Sequence, residues 1–587
     1  MLMSSTALWR IVALTAVAGM AASGAGEVRD RRDIASGAVI YRHGYCDQPY
    51  VVVCKDGAWL CVFTTGAGHE GDVRQYIAAT RSTDAGRTWT EPVPIEPPGD
   101  VEASWAMPLI VPSGRVYVFY VYNGDRVRTL AGKGIRADML GWYCLRYSDD
   151  GGRTWSQRHR IPIRTTACDR SNDWQGQVQI LWGIGKPVVF DGTAMFALTK
   201  LGRYMLDDGE GWFVRSDNIL TESDPERIRW ELLPDGEQGV RNAAFGSIQE
   251  EHNIVPLGPE DLFCMYRTTM GWPASSYSHD GGRTWTEPQP ATYTPGGQTF
   301  KHPRACPRIW KTTAGRYLFW FHNNGGKTFD DRNPAWVSGG IERNGDIHWS
   351  QPEILLYDAD PKTRISYPDL IEQDGRTFIT ETQKTIARVH EIDPNLLAGL
   401  WSQGKAGIVA RRGLVAEVTG LDIGRQRLRL PRAIGQAEGP GFTIEVVARF
   451  DDLSQGQVIL DSRSDDGRGV CVGTTERQTI EVVLSDGKSS TSWDCDTGLL
   501  QPRRSSHVVI TYDAGPRILV FVVDGTLCDG GSQRQFGWTR GPADICDFAG
   551  TSEVSIAPSL RGRLGLVRLY NRPLRTSEAI GNFRASR

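Results

Sequence analysis

Six short polar clusters in this 587-residue chain each stand at the head of an apolar, strand-like run. Asp47-Gln48 precedes Pro49-Tyr50-Val51-Val52-Val53, and Glu102 and Trp105 precede Leu109-Ile110-Val111. Gln179 and Trp182 lie near Val188, and Gln249-Glu250-Glu251-His252 precedes Ile254-Val255. Lys301-His302-Pro303-Arg304 and Ser366-Tyr367-Pro368-Asp369 complete the set. The clusters supply carboxylates that can move protons and guanidinium forks that match a carboxylate bidentately. They also supply one tyrosine. A phenol with a pKa near 10 is a weak nucleophile at neutral pH unless a neighbouring carboxylate takes its proton as it attacks. Strands with a purely structural role would not need charged or aromatic residues at most of these places, whereas a shared ligand pocket would. The histidines His43, His252, His302 and His322 read individually as hydrogen-bonded structural groups; His302 is also kept as a ligand candidate.

Clusters so far apart in sequence meet only if the chain closes on itself. Ser82-Thr83-Asp84-Ala85-Gly86-Arg87-Thr88-Trp89 recurs as Ser148-Asp149-Asp150-Gly151-Gly152-Arg153-Thr154-Trp155 and as Ser278-His279-Asp280-Gly281-Gly282-Arg283-Thr284-Trp285. In S-x-D-x-G-x-T-W the Asp accepts bonds from turn amides, the Gly supplies positive φ and the Trp packs under the turn. Weaker echoes run from Ser216-Asp217 to Trp230 and from Ser338 to Trp349. The repeat length of roughly 60–70 residues suits one four-stranded propeller blade. Runs such as 116–120, 317–320 and 377–380 supply the strands. Five marked hairpins and the run from Tyr367 to Ile386 predict six blades, the sixth closed by an N-terminal strand near Val39 to Tyr41. The expected fold class is therefore all-β, with a six-bladed β-propeller over 36–392. Asp393-Pro394 opens a short helix in a linker over 393–406. Strand-rich sequence then resumes over 407–587.

The three turns are similar to the Asp boxes of sialidases, and the stretch from Ser36 to Ile392 resembles that superfamily. Such boxes mark the fold rather than the chemistry. The run from Glu251 to Leu257, followed by Tyr266-Arg267 and the third box, resembles the family's glutamate strand and one substrate-binding arginine. Arg332 to Ser338 resembles the strand bearing another. Tyr367-Pro368-Asp369-Leu370, with Asp374-Gly375 and Thr380-Glu381, resembles the strand pair carrying the nucleophilic tyrosine and a late glutamate. The resemblance implies Tyr367 as nucleophile and Glu251 as its base. Arg267, Arg332, Arg304, Glu381 and His302 would then surround the substrate. The proton donor should precede the first box, in His69-Glu70-Gly71-Asp72; Asp72 is the choice, with Glu70 close behind. Tyrosine is a known exception to the two-carboxylate glycosidase scheme, and a neutral nucleophile approaches an anionic sugar without repulsion. One departure stands out. The family's first inner strand carries an arginine, whereas Cys46-Asp47-Gln48-Pro49 occupies that place here. An anion there would repel a substrate carboxylate unless Arg42 or Arg304 moves in. Asp47 reads as structural, as a ligand for a sugar hydroxyl, or as a catalytic carboxylate in another arrangement.

The ending Gly562 to Leu574, with the strands around 442–450, 507–512 and 518–525, resembles laminin-G/concanavalin-like jelly rolls. That likeness implies a β-sandwich over 407–587, as a carbohydrate-binding accessory or a spacer. At the other end, Arg10 followed by the apolar run 11–20 and small residues to Gly26 describes a secretory signal peptide over 1–25. The run is shorter than the about 20 residues needed to span a bilayer, so a secreted or periplasmic protein is expected. A net charge of −3 and the lack of a Lys/Arg tract argue against nucleic acid as a partner. Eleven cysteines include no CxxC pair, so neither a zinc nor a thioredoxin motif is visible, and neither metal nor cofactor is expected. Cys471, Cys495, Cys528 and Cys546 could pair in an exported chain. The expected function is a retaining exo-glycosidase acting on terminal acidic sugars of a glycan, sialic acid or a related 2-keto acid. The alternatives are a polysaccharide lyase on uronate-containing glycans and a non-catalytic glycan-binding protein.

Overall fold

The computed structural model describes residues 30–405, 407–420, 423, 425–429, 440–545, 547, 550–551 and 553–587. The signal peptide expected over 1–25, and Cys546, lie outside the described residues. The chain divides into two compact units, one of Ile34–Ser350 with Ile354–Leu397 and one built chiefly of Ala398–Arg587.

Six antiparallel sheets of four or five strands follow one another through the first unit. The innermost strands are Tyr45–Val53, Ala103–Ile110, Leu181–Trp182, Gln249–Pro256, Arg308–Lys311 and Leu370–Gln373, each first in sequence within its sheet except the last. The second strands are Trp59–Gly66, Val116–Tyr122, Thr193–Arg203, Leu262–Thr268, Tyr317–Phe321 and Arg376–Thr382. The sixth sheet is completed by Ala38–Tyr41, which pairs antiparallel with Ala387–Glu391, as the sequence predicts. Side chains on inner and second strands sew neighbouring sheets together. Thr64 Oγ1 accepts the Trp105 amide at 3.0 Å, and Thr199 Oγ1 accepts the Glu251 amide at 2.8 Å. Thr380 Oγ1 donates to the Pro49 carbonyl, and the Asp369 carboxylate accepts the Val51 amide, both at 2.7 Å. The last two bonds tie the sixth sheet to the first and close the ring. Closure leaves no free sheet edge at the junction, which removes a route to aggregation. In the third sheet, where the sequence signal is weakest, Leu181–Trp182 and Val188–Phe190 both pair with Thr193–Arg203.

The peripheral turns have the structure their residues dictate. Asp84 Oδ1 accepts the Thr88 amide at 2.9 Å, and Oδ2 accepts the Thr88 hydroxyl at 2.6 Å. Asp150 and Asp280 repeat both bonds on Thr154 and Thr284 at the same distances. Gly86, Gly152 and Gly282 have φ between 83° and 91°. A Cβ on Gly152 would lie 2.4 Å from Leu60, on the preceding sheet, so the glycine also permits close packing. In the fourth-strand turn after Ser216 the acceptor is Asn218, which takes the Arg229 amide at 2.9 Å. That turn has kept the bond and lost the sequence signature.

The second unit is a sandwich of two antiparallel sheets. One contains Leu414–Thr419, Gly562–Tyr570, Gly441–Phe450, Ser505–Asp513 and Ile518–Val523; the other contains Glu553–Ile556, Val458–Asp461, Gly469–Thr474, Ile480–Ser485 and Ser490–Asp494. Their inward residues, including Phe442, Ile444, Val472, Val482, Ile510, Phe521 and Leu569, form one core. The alternation of buried and half-exposed positions in Ile480–Ser485 is that of a strand with one solvated face. Helix Pro394–Ser402 begins at the proline, as expected. Cys471, Cys495 and Cys528 are buried free thiols, so no bridge joins these three.

The box carboxylates make stability depend on acid. Hydrogen bonds from Thr88 hold Asp84 down at about 2, and the equivalent bonds outweigh burial to hold Asp150 at about 2. An unfolded Asp titrates near 3.9. The stability these groups contribute is complete above about pH 4 and lost as pH falls through about 2. A variant carrying Asp84→Asn, Asp150→Asn and Asp280→Asn should be less stable than the parent at pH 6. It should also lose less on acidification from pH 4 to 2, as read by urea midpoints across that range.

Candidate active site

Three inner strands carry a bulge at their heads. Register slips between Asp47 and Tyr50, between Ser104 and Met107, and between Glu250 and Asn253. At each slip one residue has positive φ: Gln48 at 53°, Trp105 at 66° and Glu251 at 54°. Tyr367, just ahead of the sixth inner strand, has φ 45°. A bulge breaks the up-down alternation of a strand and re-aims a side chain. Left-handed backbone at a non-glycine residue costs of order 1 kcal/mol or more, so four such residues at the same place in four sheets mark a built feature.

The geometry brings Tyr367 and Glu251 together. The phenol donates to Glu251 Oε1 at 2.6 Å across 116 residues of sequence. Arg267 Nη1 lies 2.8 Å from the same oxygen, and its Nη2 lies 2.7 Å from Glu250 Oε2. Arg304 Nη2 reaches Glu250 Oε1 at 3.0 Å. Arg332 donates to the Ser366 hydroxyl at 2.9 Å and to the Arg304 carbonyl at 3.2 Å. Its Nε is buried without a hydrogen bond, as is Glu251 Oε2. Among the described residues no carboxylate pairs with Arg332. Burial pushes the Tyr367 phenol well above 10, Glu251 adds to the rise, and Arg267 opposes it. Burial also lowers the Arg332 pKa from its ordinary value. Burial opposes the charge on Arg267 too, but Glu250 and Glu251 outweigh it and raise its pKa.

A second set of charges lies on the other side of Tyr367. Lys384 Nζ sits 4.2 Å from the Tyr367 ring centroid, contacts Asp47 Oδ2, and lies 3.2 Å from Glu70 Oε2. Arg136 joins Glu70 at 2.8 Å to Asp138 at 2.5 Å. Asp47 is buried and also accepts from the Tyr45 hydroxyl at 2.9 Å and from the Gln48 amide at 3.0 Å. Burial raises its pKa to about 6 against the pull of Lys384. Glu70 is drawn well below the usual carboxylate range because Lys384 and Arg136 outweigh its burial. Lys384 and the Arg136–Asp138 pair escape sequence reading. Each lies on a connection between the second and third strands of its sheet, and nothing in the order of residues shows that these connections reach Tyr367.

The remaining candidates sit elsewhere. Asp72 is exposed and accepts the His69 amide at 2.6 Å, with no bond to the cluster among the described residues. Glu381 is buried against Arg388 and His390, each at 3.5 Å. The His302 ring bonds the Ala305 carbonyl at 2.9 Å and accepts the His322 amide at 3.3 Å. Burial pushes His302 down to about 3 and His252 to the same value. Both rings are neutral and held by backbone, which leaves no free imidazole base at the cluster among these residues. No group of three or more His, Cys, Asp or Glu side chains among the described residues is arranged to hold a metal ion.

A model of the BNR repeat-like domain matches residues 60–379, more than half of the chain, a span that includes Glu70, Glu251, Arg267, Arg332 and Tyr367. The chain belongs to the BNR repeat-like family. Residues 424–580 match the concanavalin A-like lectin/glucanases superfamily. No curated protein sequence matches the chain. Among solved structures, it is similar to the Trypanosoma rangeli sialidase in complex with 2,3-difluorosialic acid. The identity is 13%, with 96% of this chain and 98% of that one covered and a TM-score of 0.45. It is also similar to the intramolecular trans-sialidase from Ruminococcus gnavus, at 15% identity, 63% and 99% coverage and a TM-score of 0.45. A Hadza microbial sialidase matches at 19% identity, 60% and 67% coverage and a TM-score of 0.43. Among the described residues no helix is long and apolar enough to cross a membrane.

Glu250 carries two of the arginines in this BNR repeat-like site. Removing one member of a buried pair strands the other charge, at a cost of about 3–5 kcal/mol. Glu250→Ala should therefore lower the free energy of unfolding by about 3 kcal/mol or more in urea titrations. A change under 1 kcal/mol would mean that water reaches Arg267 and Arg304.

Proposed function

We propose that this protein is an exported retaining exo-glycosidase of sialidase type, which removes a terminal acidic sugar from a glycan. The observation that carries the reading is the 2.6 Å hydrogen bond from the buried Tyr367 phenol to Glu251. In the first step the phenol oxygen bonds to the anomeric carbon while the bond from that carbon to the leaving oxygen breaks. The phenolic proton passes to Glu251, and an acid protonates the leaving oxygen. In the second step water adds to the anomeric carbon and the phenolate departs, regaining its proton from Glu251. The acid, now a base, takes the proton of the water. Two displacements return the original anomeric configuration. Glu70, kept ionised by Lys384 and Arg136, is ill suited to donate a proton. Asp72, two residues on and exposed, is the donor we assign.

Arg332 supports an acidic substrate. A buried guanidinium with no carboxylate on it pays a desolvation cost that an anionic ligand would recover. A sugar carboxylate beside Arg332 would meet its unbonded Nε, and Arg267 and Arg304 stand next to it. The sandwich, in this reading, is a carbohydrate-binding accessory.

Tyr367→Phe should fold normally and lose most turnover of an aryl sialoside, and a fluorinated sialoside should leave a glycosyl adduct on Tyr367 of the parent, located by peptide mass spectrometry. Near-normal turnover by the Phe variant eliminates the mechanism. Arg332→Met should weaken binding of an acidic sugar by one to two decades, the equivalent of about 1.5–3 kcal/mol for a charge-assisted bond. Its carboxylate-reduced analogue should lose far less, and equal losses on both would assign Arg332 to the fold.

A further inference from the structure

Among the described residues, Lys384 is the one cation placed against the ring of Tyr367 rather than against its acid-base partner. It lies on the short connection that follows Arg376–Thr382, where Gln383 and Ile386 are bonded at 3.1 Å. Its own φ is 71°. Its carbonyl accepts the Cys46 amide at 2.8 Å, and its amide donates to Thr382 Oγ1 at 2.9 Å. The backbone is thus pinned to the head of the first inner strand. The ammonium is pinned too, between Asp47 and Glu70. A long flexible side chain held at both ends has lost the rotamer freedom that ordinarily opposes such contacts.

The charges facing the phenol explain what this does. Glu251, from the fourth sheet, accepts its proton; Arg267 stands behind Glu251, and Arg332 comes from the fifth sheet. On the other side are Asp47 and Glu70, from the first sheet, and both carboxylates oppose negative charge on the phenol oxygen. Attack by Tyr367 and its later departure each pass through states in which that oxygen is anionic. With Asp47 and Glu70 uncompensated, both would be harder. We infer that Lys384 is a positioning residue that cancels the field of Asp47 and Glu70 over the Tyr367 ring and so keeps the phenolate within reach. Asp47, where the family resemblance leads one to expect an arginine, is accommodated because a lysine from the last sheet returns a cation to the same spot. The inference rests on Tyr367 being the nucleophile, but its test does not.

Tyr367 is replaced by 3,5-difluorotyrosine, whose more acidic phenol titrates in an accessible range, and the ring fluorines are followed by NMR against pH without substrate. An opposite charge within about 4–6 Å lowers an acid's pKa by roughly one to three units. Lys384→Met should therefore raise the apparent pKa by about one unit or more, and Lys384→Arg should hold it near the parent value. Adding Asp47→Asn to Lys384→Met should bring it part of the way back. A Lys384→Met titration that overlays the parent overturns the inference. If Lys384→Met does not fold, Glu70→Gln serves in its place: it removes one opposing carboxylate and should lower the pKa, and an unchanged value again overturns the inference. Turnover by Tyr367→Phe with these shifts intact would sink the nucleophile alone. An inactive Tyr367→Phe with no shift in Lys384→Met would sink only the role of Lys384.

Discussion

A regular strand points successive side chains to opposite faces, so it cannot aim two adjacent polar residues into one cavity. The bulges at the heads of the inner strands remove that restriction, and the site depends on them. Because the backbone turns left-handed at Glu251, Glu250 and Glu251 both reach Arg267 although they are neighbours in sequence. The bulged amides leave the ladder and need new acceptors, which the threonines of adjacent sheets provide at Thr64 and Thr199. The same bonds that satisfy the strained backbone thus fasten one sheet to the next. Strain at the axis and closure of the ring are one structural feature.

Charge around Tyr367 is arranged in two poles. On one side Arg267, Arg304 and Arg332 face Glu250 and Glu251, leaving one cation in excess. On the other, Asp47, Glu70 and Asp138 face Lys384 and Arg136, leaving one anion in excess. The two poles balance as a whole, which is why so many ionised groups can be buried together. Burial of these groups strengthens the field between them.

The fold was legible because its signals are local. Each box needs only residues within eight positions, and Ser278 to Trp285 contains its whole hydrogen-bond scheme. The heads of the inner strands were legible for a related reason, since a polar cluster before an apolar run is visible without partners. Tyr367 and Glu251 could be named from their clusters, but the bond between them depends on ring closure. Lys384 and Arg136 were not legible. A lysine after Thr382 looks like any residue of a polar turn, and the contacts that hold it beside Tyr367, to Cys46, Asp47 and Glu70, all come from residues far away in sequence. The stretch from His69 to Asp72 was legible as polar, but not the division within it: Glu70 meets Lys384 and Arg136, whereas Asp72 is exposed and closes the turn on the His69 amide.

The division of labour between periphery and axis follows from these energetics. The axis holds left-handed residues, an unbonded guanidinium nitrogen and an unbonded carboxylate oxygen, all of which subtract from stability. The periphery holds repeated hydrogen-bonded turns whose glycines let sheets approach closely, and cores such as the cluster around Trp59, Phe63 and Phe378. A ring needs such an outer shell because no single sheet could bear a polar centre by itself. Substitutions at the rim should therefore act on the whole ring, whereas those at the axis act on charge. An axial change that preserves volume but removes a charge can even stabilise the protein while it disables the site, as expected where function keeps polar groups that packing alone would replace.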